Sequence, residues 1–103
     1  MLLQPNKFHS TSYHNDNIYT TPNKLIELCA KYNIKYEENN DGEDKTNFDF
    51  EFQTPEGLYF TVYDWKEYKI LNKDRKYSFH VGAKDKLDSI DALYILQTEL
   101  TKL

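Results

Sequence analysis

Residues 47–63 read NFDFEFQ (47–53), TPEG (54–57) and LYFTVY (58–63), and this stretch decides the fold. In its first piece apolar and polar side chains alternate without a fault. Phe48, Phe50 and Phe52 fall on one side, and Asn47, Asp49, Glu51 and Gln53 on the other. Successive side chains of an extended chain point to opposite faces, so this is a strand with one dry and one wet face. Such strands belong to antiparallel sheets. Pro55 presets the backbone at the second turn position, and Gly57 suits the left-handed residue of a three-residue hairpin loop. That loop sets Thr54 opposite Leu58, Phe52 opposite Phe60 and Phe50 opposite Val62, which brings both apolar sets to one face. A slip of one residue would oppose Phe52 to Tyr59 and mix the faces. Turn chemistry and hydrophobic pattern therefore agree.

Working outward, the strand after the turn is expected to run from Leu58 to about Tyr68, with a loop at 70–75. The next strand is YSFHV (77–81), with Tyr77, Phe79 and Val81 inward, Ser78 and His80 outward, and Gly82 at its end. A final helix is expected to start at Asp88 or Ser89, with Leu93, Leu96, Leu100 and Leu103 as its apolar stripe. Toward the N-terminus, Thr21 can cap a helix and Pro22 suits its first position. Leu25, Leu28, Cys29 and Tyr32 follow at helical spacing, and Asn33 can stop the helix in the left-handed region. A short strand at 34–37 and a turn at 39–42 link it to the hairpin. Residues 1–20 lack a clean period and read as an irregular arm, with at most a short strand near Ile18. The expected fold is a single α+β domain over 21–103 (arm-α-β-β-β-β-α). It has two layers, with three to four antiparallel strands and two amphipathic helices packed on the Phe face.

A chain of 103 residues makes one domain with a modest core. Aromatic residues make up 16 % of it, nine of them Tyr, and so many hydroxyls are hard to bury. Several Tyr are therefore expected at the surface, where they favour binding. One cysteine, Cys29, leaves no partner for an internal disulfide, and its place on the apolar helix face makes it a small core hydrophobe. The first residues have no basic stretch followed by an apolar run, so no signal peptide is read, and no apolar stretch approaches membrane-spanning length.

Charge is segregated. The chain carries −4 overall, yet residues 37–56 hold eight acids and one base. This acidic lobe opposes nucleic-acid phosphate and can steer a basic partner. It is also what a solvated charged turn looks like. The wet face of the sheet is expected to carry Asp49, Glu51, Tyr59, Tyr63, Trp65 and His80, rigid rings beside hydrogen-bonding groups, which is the make-up of interface hot spots. The alternative is that the arm folds across this face and covers it. No phosphate-cradling glycine loop or catalytic motif is present, so catalysis, metal and cofactor are not expected. Lysine outnumbers arginine twelve to one, and Asn, Tyr and Ile are abundant, a codon signature of an AT-rich genome.

Residues 60–68 (FTVYDWKEY), followed by FHVGA at 79–83, resemble small proteins encoded by bacteriophages and prophages. There a strand of the form Thr-(Ile/Val)-Tyr-Asp-Trp-Lys-x-Tyr is followed by an aromatic-His-(Ile/Val)-Gly strand. The resemblance covers about a quarter of the chain and implies a phage origin. With size, acidity and lack of catalytic motifs, it leads to the expectation of a phage-encoded accessory protein in the host cytoplasm. Such a protein would bind and inhibit a host protein, a defence enzyme such as a CRISPR effector. The six wet-face residues would form the contact, with Glu43 and Asp44 steering toward a basic partner surface. Two other readings stay open: sequestration of a nucleotide signal by Lys69, Lys73, Arg75 and Lys76, and a homodimer through the aromatic face.

Overall fold

The computed structural model describes residues 1–7 and 9–103, which form five strands and two helices. In chain order these are β1 (Ser12–Thr20), α1 (Pro22–Lys31), β2 (Glu37–Glu38), β3 (Phe48–Gln53), β4 (Tyr59–Tyr63), β5 (Tyr77–Ala83) and α2 (Lys86–Thr101). The strands make one antiparallel sheet in the order β1-β5-β4-β3-β2. Both helices lie on the face carrying Phe48, Phe50, Phe52, Phe60, Val62, Phe79 and Val81, and all seven are buried. Leu25, Leu28 and Cys29 of α1 and Ala92 and Leu96 of α2 close the core over them.

The hairpin has the register its turn dictates: Phe52 faces Phe60, Phe50 faces Val62, Glu51 faces Thr61 and Asp49 faces Tyr63. Gly57 has φ +100°, the left-handed residue the loop requires. Helix α1 is capped by the Thr21 hydroxyl, which accepts from the Lys24 N–H at 3.0 Å, and the chain leaves it through Asn33 at φ +57°. Burial pushes the Cys29 thiol up to about 12.

The arm differs from expectation. From Ser12 it is a nine-residue edge strand, and the sheet has five strands rather than three or four. Between Tyr13 and Asn17 three residues of β1 face the single residue Val81 of β5, and Asn15 bulges at φ +68°. The bulge falls on the polar run His14-Asn15-Asp16, so the first half of the strand shows no apolar alternation in sequence. Leu2 is buried in the core, and Leu3 exchanges two backbone hydrogen bonds with Gln53, at 2.7 and 3.0 Å. The chain thus starts at the β3 edge of the sheet and reaches the opposite edge as β1.

Helix α2 begins three residues before Ser89, because Asp85 caps it by accepting from the Asp88 N–H at 2.9 Å. Its buried side is Ser89, Ala92, Leu96 and Glu99, so of the expected leucine stripe Leu96 alone is fully buried. Leu93 and Leu100 pack at the core margin, Leu103 is exposed, and Leu87, Ile90 and Tyr94 face outward. Buried Glu99 receives the Met1 ammonium at 2.8 Å and the Tyr32 hydroxyl at 2.7 Å. Burial opposes its ionisation, but these donors outweigh burial and hold the carboxyl below its usual range.

Gly82 does not end β5; it lies within the ladder, opposite Thr61 on β4 and Tyr13 on β1. A Cβ there would collide with the Thr61 hydroxyl and crowd the Thr11 hydroxyl at 3.1 Å. Gly82→Ala should therefore destabilise by about 2 kcal/mol through overpacking. Adding Thr61→Ala should restore part of the loss, read from urea midpoints of the single and double variants.

Candidate functional site

The second sheet face is where the sequence placed its candidate residues, and the chain before β1 divides it in two. Between Leu3 and Ser12 the chain crosses from one edge to the other. His9 lies against Tyr59 with ring centroids 4.8 Å apart, and the Thr11 and Thr61 hydroxyls are bonded at 3.1 Å. Tyr59 is left 7 % exposed, with its hydroxyl donating to Glu51 at 2.6 Å. Burial, then the Glu51 bond, raises the Tyr59 hydroxyl well above its ordinary range. Tyr59 and Glu51 were expected as contacts; Tyr59 is instead buried under His9 of the crossing segment, and Glu51 is half-buried beside it.

The other half is open. Tyr63 of β4 and His80 of β5 are directly opposed in the ladder, and their rings meet edge-on at 5.4 Å. Trp65, two residues past the end of β4, meets Tyr63 at 6.0 Å and His80 at 6.5 Å, and is 41 % exposed. Tyr13 stacks on His80 at 3.7 Å and donates its hydroxyl to Asn17 at 2.6 Å. Tyr63, Trp65 and His80 are therefore brought together as expected, and Tyr13 completes a four-ring patch. Burial lowers the His80 pKa, which favours the neutral ring in this stack.

Lysines border the patch. Lys45 and Lys66 lie over Trp65 at 5.9 and 5.5 Å, and Lys76 lies over exposed Tyr19 at 6.0 Å. Tyr19 shares the face because it pairs with Ser78. Tyr13, Tyr19 and these lysines are absent from the sequence-based set. The even spacing of Tyr13, Asn17 and Tyr19 was a signal, masked by the polar residues between the first two.

Asp64 explains half of the Asp64-Trp65-Lys66 run. It is fully buried, and its carboxylate accepts the Asn47 N–H, the Asn47 side-chain amide and the Phe48 N–H, at 2.8 to 3.1 Å. Asn47 is thereby drawn out of the wet face, where its alternation had placed it. The Asn47 amide also donates to the Lys69 carbonyl at 3.0 Å, and Asn40 exchanges two bonds with the Leu71 backbone. The acidic lobe is thus a loop docked on residues 64–72. Within it Asp44 accepts from the Asn39 amide at 2.9 Å, while Glu43 is exposed. The basic cluster of the ligand reading is dispersed, with Lys73 on Glu38 at 2.9 Å and Lys69 near Glu67 at 3.9 Å.

Asp49 stands between the two halves, partly buried, with Oδ1 lacking a hydrogen-bond partner among the described residues. Burial, then the charges of Glu51, Glu37 and Asp64, raises it to about 6. Among the described residues no three His, Cys, Asp or Glu side chains are grouped to hold a metal ion, and no helix is long and apolar enough to cross a membrane.

Two variants test this account. Asp64→Ala strands three buried donors and should cost on the order of 3 kcal/mol in urea unfolding. For Asp49, the folded pKa exceeds the unfolded one, so the folded state binds more protons between about pH 4 and 6 and stability falls as pH rises through that window. Asp49→Asn should raise stability by about 1 kcal/mol at pH 7.5, allowing for solvent screening, and change little at pH 4. Thermal melts at the two pH values check the sign. No protein-family model, curated protein or solved structure matches this chain.

Proposed function

We propose that the protein is a binding protein that docks a partner protein on the open aromatic patch and inhibits it by covering a functional surface. The observation that carries this reading is the set of four interlocked rings, Tyr13, Tyr63, Trp65 and His80, on the uncovered half of an otherwise covered sheet face. Rings fixed by their neighbours lose little rotamer freedom on binding, and aromatic anchors dominate the energy of protein interfaces. The patch belongs to ladder positions and to a loop anchored by Asp64, so it is presented ready-made. On this reading the phage origin implied by the 60–68 and 79–83 segments makes the partner a bacterial host protein, a defence enzyme among the candidates.

The contact set differs from the one the alternation suggested. Tyr63, Trp65 and His80 remain, Tyr13 joins them, and Tyr59 lies beneath the crossing segment with its hydroxyl on Glu51. Affinity capture from a bacterial lysate tests the proposal. A single stoichiometric host protein, lost with Trp65→Ala and reduced at least about tenfold with Tyr63→Ala, is the expected result. The captured protein's own activity should fall when the free chain is added. Undiminished capture by both folded variants would overturn the reading, and recovery of a second copy alone would turn it into a homodimer contact.

A further inference from the structure

The charges around the patch specify the partner's chemistry, an inference that rests on the docking reading above. At the Trp65 end stand Lys45 and Lys66, both exposed and both over the indole ring. Lys66 donates its backbone N–H to the Lys45 carbonyl at 2.7 Å, which holds the two residues side by side. No carboxylate lies within salt-bridge distance of either ammonium among the described residues. At the β2 side of the same face, Glu37 of β2 pairs with Asp49 of β3, and both carboxylates line a small cleft with Glu51, where Lys35 is the one base. The face is therefore bipolar, with two ammonium groups at the aromatic end and three carboxylates against one ammonium at the β2 edge.

We infer that the partner presents a carboxylate-bearing protein segment to Trp65, Lys45 and Lys66. This reverses the basic partner surface expected from net charge. The acidic lobe dominates the long-range field, but short-range complementarity is set by the groups that touch, and those at Trp65 are cationic. An aromatic ring flanked by two lysines suits one or two carboxylates carried beside apolar atoms. Single-stranded nucleic acid is the competing polyanion, because bases stack on exposed rings. Its charge repeats at every nucleotide, however, so a strand laid across the rings would run from the lysines toward Glu37 and Asp49. A discrete acidic protein segment meets the lysines alone.

Trp65 is the only tryptophan in the chain, so its fluorescence reports this site. The full chain would be titrated with three probes: a random Glu–Tyr copolymer, a Lys–Tyr copolymer of equal ratio, and a fifteen-base deoxythymidine strand, the probe length being about one oligonucleotide-binding site. The Glu–Tyr copolymer should shift Trp65 emission most strongly. Lys45→Glu with Lys66→Glu, two surface changes, should weaken that response about tenfold. Tighter binding of the Lys–Tyr copolymer, tighter binding of the oligonucleotide, or no response to any probe would overturn the inference. The docking reading would fail separately, by capture of a partner that Trp65→Ala leaves unchanged.

Discussion

The buried carboxylate of Asp64 organises the working end of the molecule. Three N–H groups from Asn47 and Phe48 converge on it at a point that water does not reach. A carboxylate in such a place is tolerable only when its lone pairs are filled, and N–H donors from the facing loop fill them. The consequence is mechanical. The start of β3 is tied to the end of β4, and the loop before β3 is tied to the loop after β4. Gly42, at φ +78°, lies so close to the Lys69 backbone that a Cβ would meet it at 2.7 Å. Trp65 and Lys66 follow Asp64 directly, so the same anchor that closes the hairpin aims the most exposed ring of the patch.

The second face depends on a different constraint, the passage of the N-terminal chain across it. Thr11, Thr61 and Gly82 meet where that chain reaches β1, and the absent side chain at Gly82 makes room for them. Covering one half shields Tyr59, whereas leaving the other open exposes Tyr13 and Trp65 beside His80.

The sheet was legible because period-2 alternation and a three-residue turn fix a register without any tertiary information, and residues 47–63 contain both. The first helix was legible from Thr21, Pro22 and Asn33, whose roles are local. What was hidden depended on contacts distant in sequence. Strand β1 was obscured by the bulge around Asn15, whose two extra residues keep Tyr13, Asn17 and Tyr19 on one face but fill the middle of the strand with the polar run His14-Asn15-Asp16. Helix α2 misled because it is apolar on two sides, and the small residues Ser89 and Ala92 face the sheet together with Leu96, alone of the leucines. Of the candidate site, the side taken by Tyr63 followed from the hairpin register and that of His80 from the alternation of its own strand, whereas Trp65 reaches the patch from a loop that leaves the strand after Tyr63. That Tyr59 would be covered could not follow, since the covering segment has no pattern of its own. The Asp64 anchor was unreadable for a related reason, since a carboxylate next to a strand end looks like any solvated acid.

Backbone strain is concentrated at the same place. Lys66 and Tyr68 have φ of +54° and +50°, a region that costs an ordinary residue about 1 kcal/mol each. Neither is glycine or asparagine, so the conformation is imposed by its surroundings. The imposing contacts are the Lys66 N–H on the Lys45 carbonyl and the Asn47 amide on the Lys69 carbonyl, both downstream of the Asp64 anchor. A relaxed chain leaving β4 would carry Trp65 and Lys66 onward along the strand direction. The two left-handed residues instead turn the chain back on the loop before β3, setting Lys66 beside Lys45 and both over Trp65. The strain and the cation-flanked ring are therefore one feature: the hydrogen bonds that offset the first also create the second.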